Sequence, residues 1–454
     1  MTTLDDVLAT VHERVTPSAD ERRRLSTAAA LLTDRAEAAI DDHDLDADVL
    51  QVGSTARGTW LAGDRDIDLF VRFPPDISRE ELEEYGLDIG HEVLPEGHQE
   101  YAEHPYVKGE VDGFDVDCVP CYRVESASDI RSAVDRTPFH TRYLDARLDE
   151  DLAGDVRVFK RFLKGIGAYG SDLKTRGFSG YLSELLVVEY GGIVPLLEAA
   201  ADWSPPVVFD PEDHGTTTFD DPLVVIDPTD PDRNVAAVCS AENVARLQHY
   251  ARELLADPRL SLFFPSDREL LTATEARQRL ASRETIPTAV VFETPDIVDD
   301  QLYPQLDKSL AGIESGLSTQ GFGVFRSAVL VDDAGKTAVL LFELSTATLP
   351  AVERHEGPPV SVRDHATGFF EAYVDDESCV GPFLEGDRYV VERPREWTDA
   401  DAYLDSDAIF EVGLGVHVED ALADGYELLV GSAEVAELVD TVDAGLTDYL
   451  DPRP

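Results

Sequence analysis

"QVGSTARGTWLAGDRDIDLFVRF", residues 51–73, sets two carboxylates, Asp66 and Asp68, inside an otherwise apolar run. The alternation Asp66-Ile67-Asp68-Leu69 reads as a β-strand, in which successive side chains point to opposite faces. Both aspartates then share one face while Ile67 and Leu69 enter the core. Two rises of roughly 3.3 Å put the carboxylates about 6.6 Å apart along the strand, and like charges at that spacing repel unless a cation lies between them. Ligands made only of oxygen favour magnesium, which keeps several waters and is often completed by substrate phosphates. Just upstream, "DADVLQVGS" reads as another strand that breaks into a turn at Gly53-Ser54. Glycine lets a backbone approach phosphate oxygens closely, with N–H groups and the Ser54 hydroxyl aimed at them. Arg57 adds charge and a two-pronged donor fork. Singly these are an ordinary turn and an ordinary acidic strand face; jointly they describe a site for metal and phosphate.

The whole chain bounds that reading. Its 454 residues exceed one compact core, so two to four domains are expected. Hydrophobic residues at 43% and aromatics at 8% give a globular composition, and the net charge of −54 is spread along the chain rather than gathered in a tail. Of 38 basic side chains only six are lysine: residues 108, 160, 164, 174, 308 and 336. Such a surface repels itself in dilute buffer, whereas at molar salt the screening length shrinks to about 3 Å. The composition therefore implies a salt-adapted, cytoplasmic protein, and any RNA binding must rest on short-range, shape-matched contacts. The acidic, amphipathic "MTTLDDVLATVHERV" matches no signal peptide, and no run of 18 apolar residues occurs, so no membrane partner is expected. Cys118, Cys121, Cys239 and Cys379 read as reduced thiols. The Cys118-x-x-Cys121 pair lacks a second pair at zinc spacing and is not assigned a metal.

Working outward, residues 18–40 open with Ser18 and Glu21 at capping-box spacing and continue as a helix. The two strands around the Gly-Ser turn are expected to be joined by a loop holding Gly58 and Gly63, and "GFDVDCVPCYRV" to be a third strand. "DVRVFKRFLKGIG" places Val156, Phe159, Leu163 and Ile166 on one helical face, and "SGYLSELLVVEYGG" starts at a Ser179 cap. The segment "DWSPPVVFDPEDHGTTTFDDP" reads as a loop. From about residue 285 the texture becomes β-α-β-β, with a hairpin at "DDAGK", and a closing helix is expected near 432–450 through Val435, Leu438, Val439, Val442, Leu446 and Tyr449.

An apolar residue, Gly-Ser, eleven intervening residues and then Asp-apolar-Asp-apolar resemble the signature of the polymerase-beta-type nucleotidyltransferases. The resemblance continues through "AEHPYVKGEVDGFDVDCVPCYRV", "SAVDRTPFHTRYL", "RGFSGYLSELLVVEYGG" and "DPTDPDRNVAAVCS", and is specific to the archaeal-type (class I) CCA-adding enzymes. It implies an α+β multidomain fold: a polymerase-beta-like nucleotidyltransferase head with a mixed sheet over 1–136, a mostly helical central domain over 137–280 that completes the nucleotide pocket, and an α+β body and tRNA-binding tail over 281–454. The implied reaction is template-independent addition and repair of the 3′-terminal CCA of tRNA from CTP and ATP, with Mg2+, often in a homodimer.

The resemblance also assigns residues. A third carboxylate is required on a neighbouring strand, where Asp115 and Asp117 share a face; Asp117, next to the family-like "CVPCY", is the ligand of choice, and Asp115 a surface or supporting acid. Asp66, Asp68 and Asp117 are thus the catalytic metal ligands. Gly53, Ser54 and Arg57 are expected at the triphosphate, Thr137 and His140 at phosphate or sugar, Lys160 and Tyr169 at phosphates, and Arg233 in the nucleotide pocket. Lys160 and Lys164 lie one helical turn apart in a chain nearly devoid of lysine, which independently suggests a polyanion, although Lys164 reads equally well as a surface charge. His140 on its own would be a hydrogen-bonded structural histidine, and Arg176 and Tyr181 read mainly as structural. Phe322, Phe325 and Arg326 could form an RNA-stacking surface, though aromatics on a strand more often face the core. Competing functions are a poly(A) polymerase or small-molecule nucleotidylating enzyme of the same superfamily, and a non-catalytic RNA-binding protein that keeps the fold.

Overall fold

Ile67, Leu69, Val71 and Phe73 are all buried, as the alternation requires. The computed structural model describes residues 3–101, 103–332 and 334–454. These form two compact units that divide the chain between Asp267 and Arg268.

The first unit begins with α1 (Leu4–Val15) and α2 (Ala19–Asp42), followed by β1 (Asp48–Val52), α3 (Gly53–Arg57), β2 (Asp66–Phe73), α4 (Arg79–Val93), β3 (His98–Tyr101), β4 (Pro105–Val111) and β5 (Phe114–Tyr122). The Ser18 hydroxyl accepts from the Glu21 N–H and the Glu21 side chain reaches back to the Ser18 N–H, so the expected capping box starts α2. The strands form one mixed sheet in the order β1-β2-β5-β4-β3, with β2 and β5 its parallel pair. Its apolar face, including Ile67, Leu69, Val116 and Cys118, packs against Leu25, Leu32, Leu82 and Ile89 of α2 and α4. Instead of the plain loop expected after β1, Gly53–Arg57 makes a short helical turn closed by Gly58 in the left-handed region.

A helical group follows: α5 (Thr137–Asp145), α6 (Glu150–Gly165), α7 (Gly180–Tyr190), α8 (Ile193–Ala201) and, after a small sheet, α9 (Ala241–Ala256). Asp149, Ser179 and Ser240 cap α6, α7 and α9. Val156, Phe159, Leu163 and Ile166 are buried together, as expected, and α1 joins this helical core through Val7, Val11 and Val15 rather than joining the sheet that follows it in sequence. The sheet consists of β6 (Val207–Phe209), β7 (Leu223–Asp227) and β8 (Asp230–Asn234). The segment read as a loop thus contains a strand, β6, paired in parallel with β7.

The second unit contains α10 (Ala273–Ser282), β9 (Ile286–Glu293), α11 (Asp299–Gln320), β10 (Gly323–Val331), β11 (Thr337–Thr346), β12 (Val352–Pro359), α12 (Arg363–Tyr373), β13 (Val380–Glu385), β14 (Arg388–Pro394), α13 (Ala400–Leu404), α14 (Val416–Asp424), β15 (Tyr426–Val430), α15 (Ser432–Val435) and α16 (Asp443–Leu450). The expected β-α-β-β is β9-α11-β10-β11 in a four-stranded sheet ordered β10-β11-β9-β15. Its hairpin turn, 332–336, includes Asp333, which lies outside the described residues. Residues 273–282, grouped with the helical centre on sequence, pack here, with Ala276 and Leu280 against Val435 and Leu446. The closing helix is broken into α15, a tight turn over Ala436–Asp440 and α16. The β-branched run Val439, Thr441, Val442 disfavours a continuous helix, while all six expected apolar positions remain buried. Phe322 is a core residue and Arg326 donates to the Tyr449 carbonyl with its guanidinium over that ring, so of the suggested RNA-facing trio only Phe325 is open to solvent.

Candidate active site

The parallel register sets Asp66 level with Asp115 and Asp68 level with Asp117, so four carboxylates share one face of the sheet. They are not equivalent. Asp115 is exposed at the strand start, whereas Asp117 is partly buried and opposite Lys108 of β4. Burial, reinforced by the charges of Asp117 and Asp66, pushes the Asp68 carboxyl up to about 6. Burial likewise raises Asp117, with Asp66 adding to the effect against the opposing Lys108, and raises Asp66 together with the charges of Asp64 and Asp115.

Gly53 explains the turn beside them. Its φ is +77°, and a Cβ built there would lie 1.9 Å from Asp68 Oδ2, so neither the backbone nor the space admits a side chain. The Ser54 carbonyl accepts from the Thr59 N–H at 3.0 Å, which closes the turn.

These residues fit a divalent cation. Asp117 Oδ1 is buried with no hydrogen-bond partner among the described residues, and Lys108 Nζ stands 3.7 Å from it. Carboxylate oxygens short of positive charge are the donors a hard cation takes. Among the described residues no three acidic, imidazole or thiol groups already converge as a closed cage.

Arg57 and Lys160 were both expected to face a triphosphate. Here they share one buried carboxylate, Glu184: Arg57 Nε lies 2.8 Å from Oε2 and Lys160 Nζ 2.7 Å from Oε1. Thr59 Oγ1 donates to Oε1 at 2.5 Å, and an Arg57 terminal N–H donates to Thr141 Oγ1 at 3.1 Å. Burial alone would raise the Glu184 carboxyl, but Lys160 and Arg57 outweigh it and hold the group below the usual carboxylate range. Lys160 is only 2% exposed, and its ammonium donates to Glu184 and Thr59. The Tyr169 hydroxyl and the Lys160 ammonium both face Gly180, where a Cβ would come within 3.2 and 3.9 Å of them. Lys164 stands over the Tyr169 ring at 5.2 Å and pairs with Asp64 at 3.4 Å.

Thr137, His140 and Arg233, dispersed in sequence, line one cavity of about 250 Å³ with Ser179 and Tyr181. Asp227, at the end of β7, organises it, accepting from His140 Nε2 at 2.7 Å and from Arg233 at 2.8 Å. Burial pulls the His140 pKa down despite Asp227, which favours a neutral ring donating its N–H, with Arg233 carrying the charge. His140 stacks on Tyr181 with centroids 3.9 Å apart, and the buried Tyr181 hydroxyl has no partner among the described residues. Tyr181 therefore belongs to the pocket, while Arg176 is structural: φ is +51° and its carbonyl accepts from the Ser240 N–H and the Asn243 side chain. A larger cavity, about 850 Å³, lies behind the turn; Arg57 lines it, with Arg22 and Arg157, but none of the aspartates of β2 and β5 does.

Sequence reasoning missed Glu184 and Asp227. Each had the signal that exposed Asp66 and Asp68, an acid on the buried face of an apolar element, but without a second acid to draw attention.

A nucleotidyltransferase domain model matches residues 34–140, the second domain of tRNA nucleotidyltransferase matches 154–264, and the C-terminal domain of CCA-adding enzyme matches 283–431. A CCA-adding enzyme of Haloarcula marismortui is 58% identical over 99% of both chains. Those of Halorubrum lacusprofundi and Halobacterium salinarum are 59% and 55% identical over the full length of both chains. With its carboxylate face, its Gly-Ser turn and relatives of this closeness over its whole length, the chain belongs to the archaeal-type CCA-adding enzymes of the nucleotidyltransferase superfamily.

Proposed function

We propose that the protein builds and repairs the 3′-terminal C, C and A of tRNA from CTP and ATP, without a nucleic-acid template, using magnesium. In each step the tRNA 3′-oxygen forms a bond to the α-phosphorus as the bond to the bridging oxygen of pyrophosphate breaks. Asp66 and Asp68 would hold both ions, and Asp117 the one nearer the attacking hydroxyl. Magnesium held by these aspartates would supply the positive charge that lowers the pKa of that hydroxyl and neutralises the triphosphate and the departing pyrophosphate. Gly53 and Ser54 bring backbone N–H groups and a hydroxyl to the triphosphate, and Arg57 supplies positive charge beside them. Tyr169 and Lys160 contact the phosphates, with Lys160 held by Glu184. Thr137, His140 and Arg233 hold the sugar and base, with Asp227 fixing the directions of the last two. The head and the helical group after it complete the nucleotide site, and the second unit holds tRNA.

The observation that carries this reading is the pairing of Asp68 with Asp117 on adjacent parallel strands, against a glycine that leaves Asp68 its space. The protein in molar KCl with magnesium should extend tRNA lacking its terminus by C, C and A and then stop. Addition of AMP to that tRNA without prior CMP would reject the reading, and unlimited tailing would favour a poly(A) polymerase. A cytoplasmic location and a homodimer complete the proposal. In support of the former, no described helix is long and apolar enough to cross a membrane; sedimentation in molar salt tests the latter.

A further inference from the structure

Across the five-stranded sheet one row of strand partners runs Val52, Asp68, Asp117, Lys108 and His98. Residues paired in this way point to the same face, so Lys108 stands on the carboxylate face, on the side of Asp117 away from Asp68. It is one of only six lysines among 38 basic residues. Its ammonium lies 3.7 Å from Asp117 Oδ1, an ion pair too long for a hydrogen bond, and that oxygen is buried with no hydrogen-bond partner among the described residues. The charge of Asp117 above all, with Glu100 and Asp115 adding to it, holds the Lys108 ammonium above its usual range. In return the charge of Lys108 opposes the rise of Asp66, Asp68 and Asp117 alike.

The choice of lysine in a chain that otherwise relies on arginine has a physical meaning. A guanidinium grips a carboxylate with two parallel N–H bonds, whereas an ammonium on a flexible four-carbon stem is a point charge that can leave. The Lys108 side chain is 41% exposed, so it has open space to turn into. Glu100, opposite Tyr106 on the neighbouring strand β3, offers a second carboxylate there.

We infer that Lys108 is the resident counter-ion of the metal position at Asp117: it neutralises that carboxylate in the metal-free protein, must turn aside when a divalent cation binds, and so holds down the metal affinity of the free enzyme. A divalent ion and an ammonium against one carboxylate oxygen repel each other, so only one of them occupies the place. The inference rests on the assignment of Asp117 as a metal ligand.

Mn2+ titrated into the protein in molar KCl, without nucleotide or tRNA, is the direct probe. Lys108→Met keeps a similar volume and removes the charge; it should tighten Mn2+ by about fivefold or more, a sign that loss of a merely structural lysine would not give. In EDTA the same variant should melt below wild type, because Asp117 loses its partner, and saturating Mn2+ should return it at least to the wild-type temperature. Lys108→Arg keeps the charge and grips the carboxylate more firmly, so its Mn2+ Kd should equal or exceed that of wild type. Unchanged or weaker Mn2+ binding in Lys108→Met, or tightening by Lys108→Arg to the same extent, would overturn the inference while Asp117→Asn still weakens the metal. Mn2+ binding that does not respond to Asp117→Asn would instead overturn the metal-ligand assignment beneath it.

Discussion

Replacing Asp68 with asparagine should stabilise the metal-free protein while abolishing its activity. The Asp68 carboxyl is pushed up to about 6 from an ordinary value of 3.8, chiefly by burial and then by Asp117 and Asp66. A shift of about two units corresponds to about 3 kcal/mol of disfavour for the ionised form at neutral pH. The sign follows from the folded value lying above the unfolded one. The penalty is absent below about pH 3.8, grows through the interval up to about pH 6, and is complete above it. Molar salt screens the contributions of Asp117 and Asp66 more than the desolvation, so about 2 kcal/mol is the expected gain for Asp68→Asn. For a unit of this size that is a rise of about 5 °C in melting temperature. Thermal unfolding in molar KCl with EDTA at about pH 7.5 measures it, and repetition near pH 4 should erase the difference. Saturating magnesium should then reverse the order, because only the wild type gains a ligand. A variant that melts at or below the wild-type temperature at about pH 7.5 without metal would refute the claim that Asp68 is a strained, cation-seeking carboxylate.

Gly53→Ala should cost about 1–2 kcal/mol of stability from its positive φ alone, and the new methyl must displace Asp68 Oδ2; incorporation of CMP and AMP should fall at least about a hundredfold. In the second unit, Glu343 is fully buried and accepts from Arg283, Thr285 and Tyr449. Glu343→Ala should destabilise by about 3 kcal/mol in equilibrium unfolding, since it strands the buried polar ends of Arg283, Thr285 and Tyr449. With a net charge of −54, both melting temperature and activity should rise between low and molar KCl, and a steep loss with salt would contradict the salt-adapted reading.

What could be read from sequence was whatever declared itself locally. Asp66 and Asp68 are two residues apart on an alternating strand, Gly53 and Ser54 directly follow another strand, and Ser18 caps a helix through a partner three residues on; each pattern is complete within a short window. Glu184 and Asp227 each have one partner far off in sequence, Arg57 and His140, 127 and 87 residues away, besides the nearer Lys160 and Arg233, and one acid on an apolar element looks the same whether it is satisfied or not. The rarity of Lys160 was likewise visible, whereas the carboxylate it pairs with was not. Strand β13 escaped notice because its side chains are mostly exposed, and β12 because its charged residues and prolines show no apolar alternation. β6 was hidden among prolines and acids of the segment read as a loop.

The choice of Asp117 over Asp115 as third ligand, made on a sequence motif and supported by the level of each beside Asp68 and Asp66, is the most exposed part of the account. Incorporation of labelled CMP and AMP into tRNA lacking its terminus, with Mn2+ affinity measured in parallel, compares Asp117→Asn with Asp115→Asn directly. Asp117→Asn should eliminate incorporation and weaken Mn2+ by at least about tenfold, while Asp115→Asn stays within about threefold of wild type in both. The reverse pattern, or two active variants, would contradict the carboxylate assignment on which the mechanism stands.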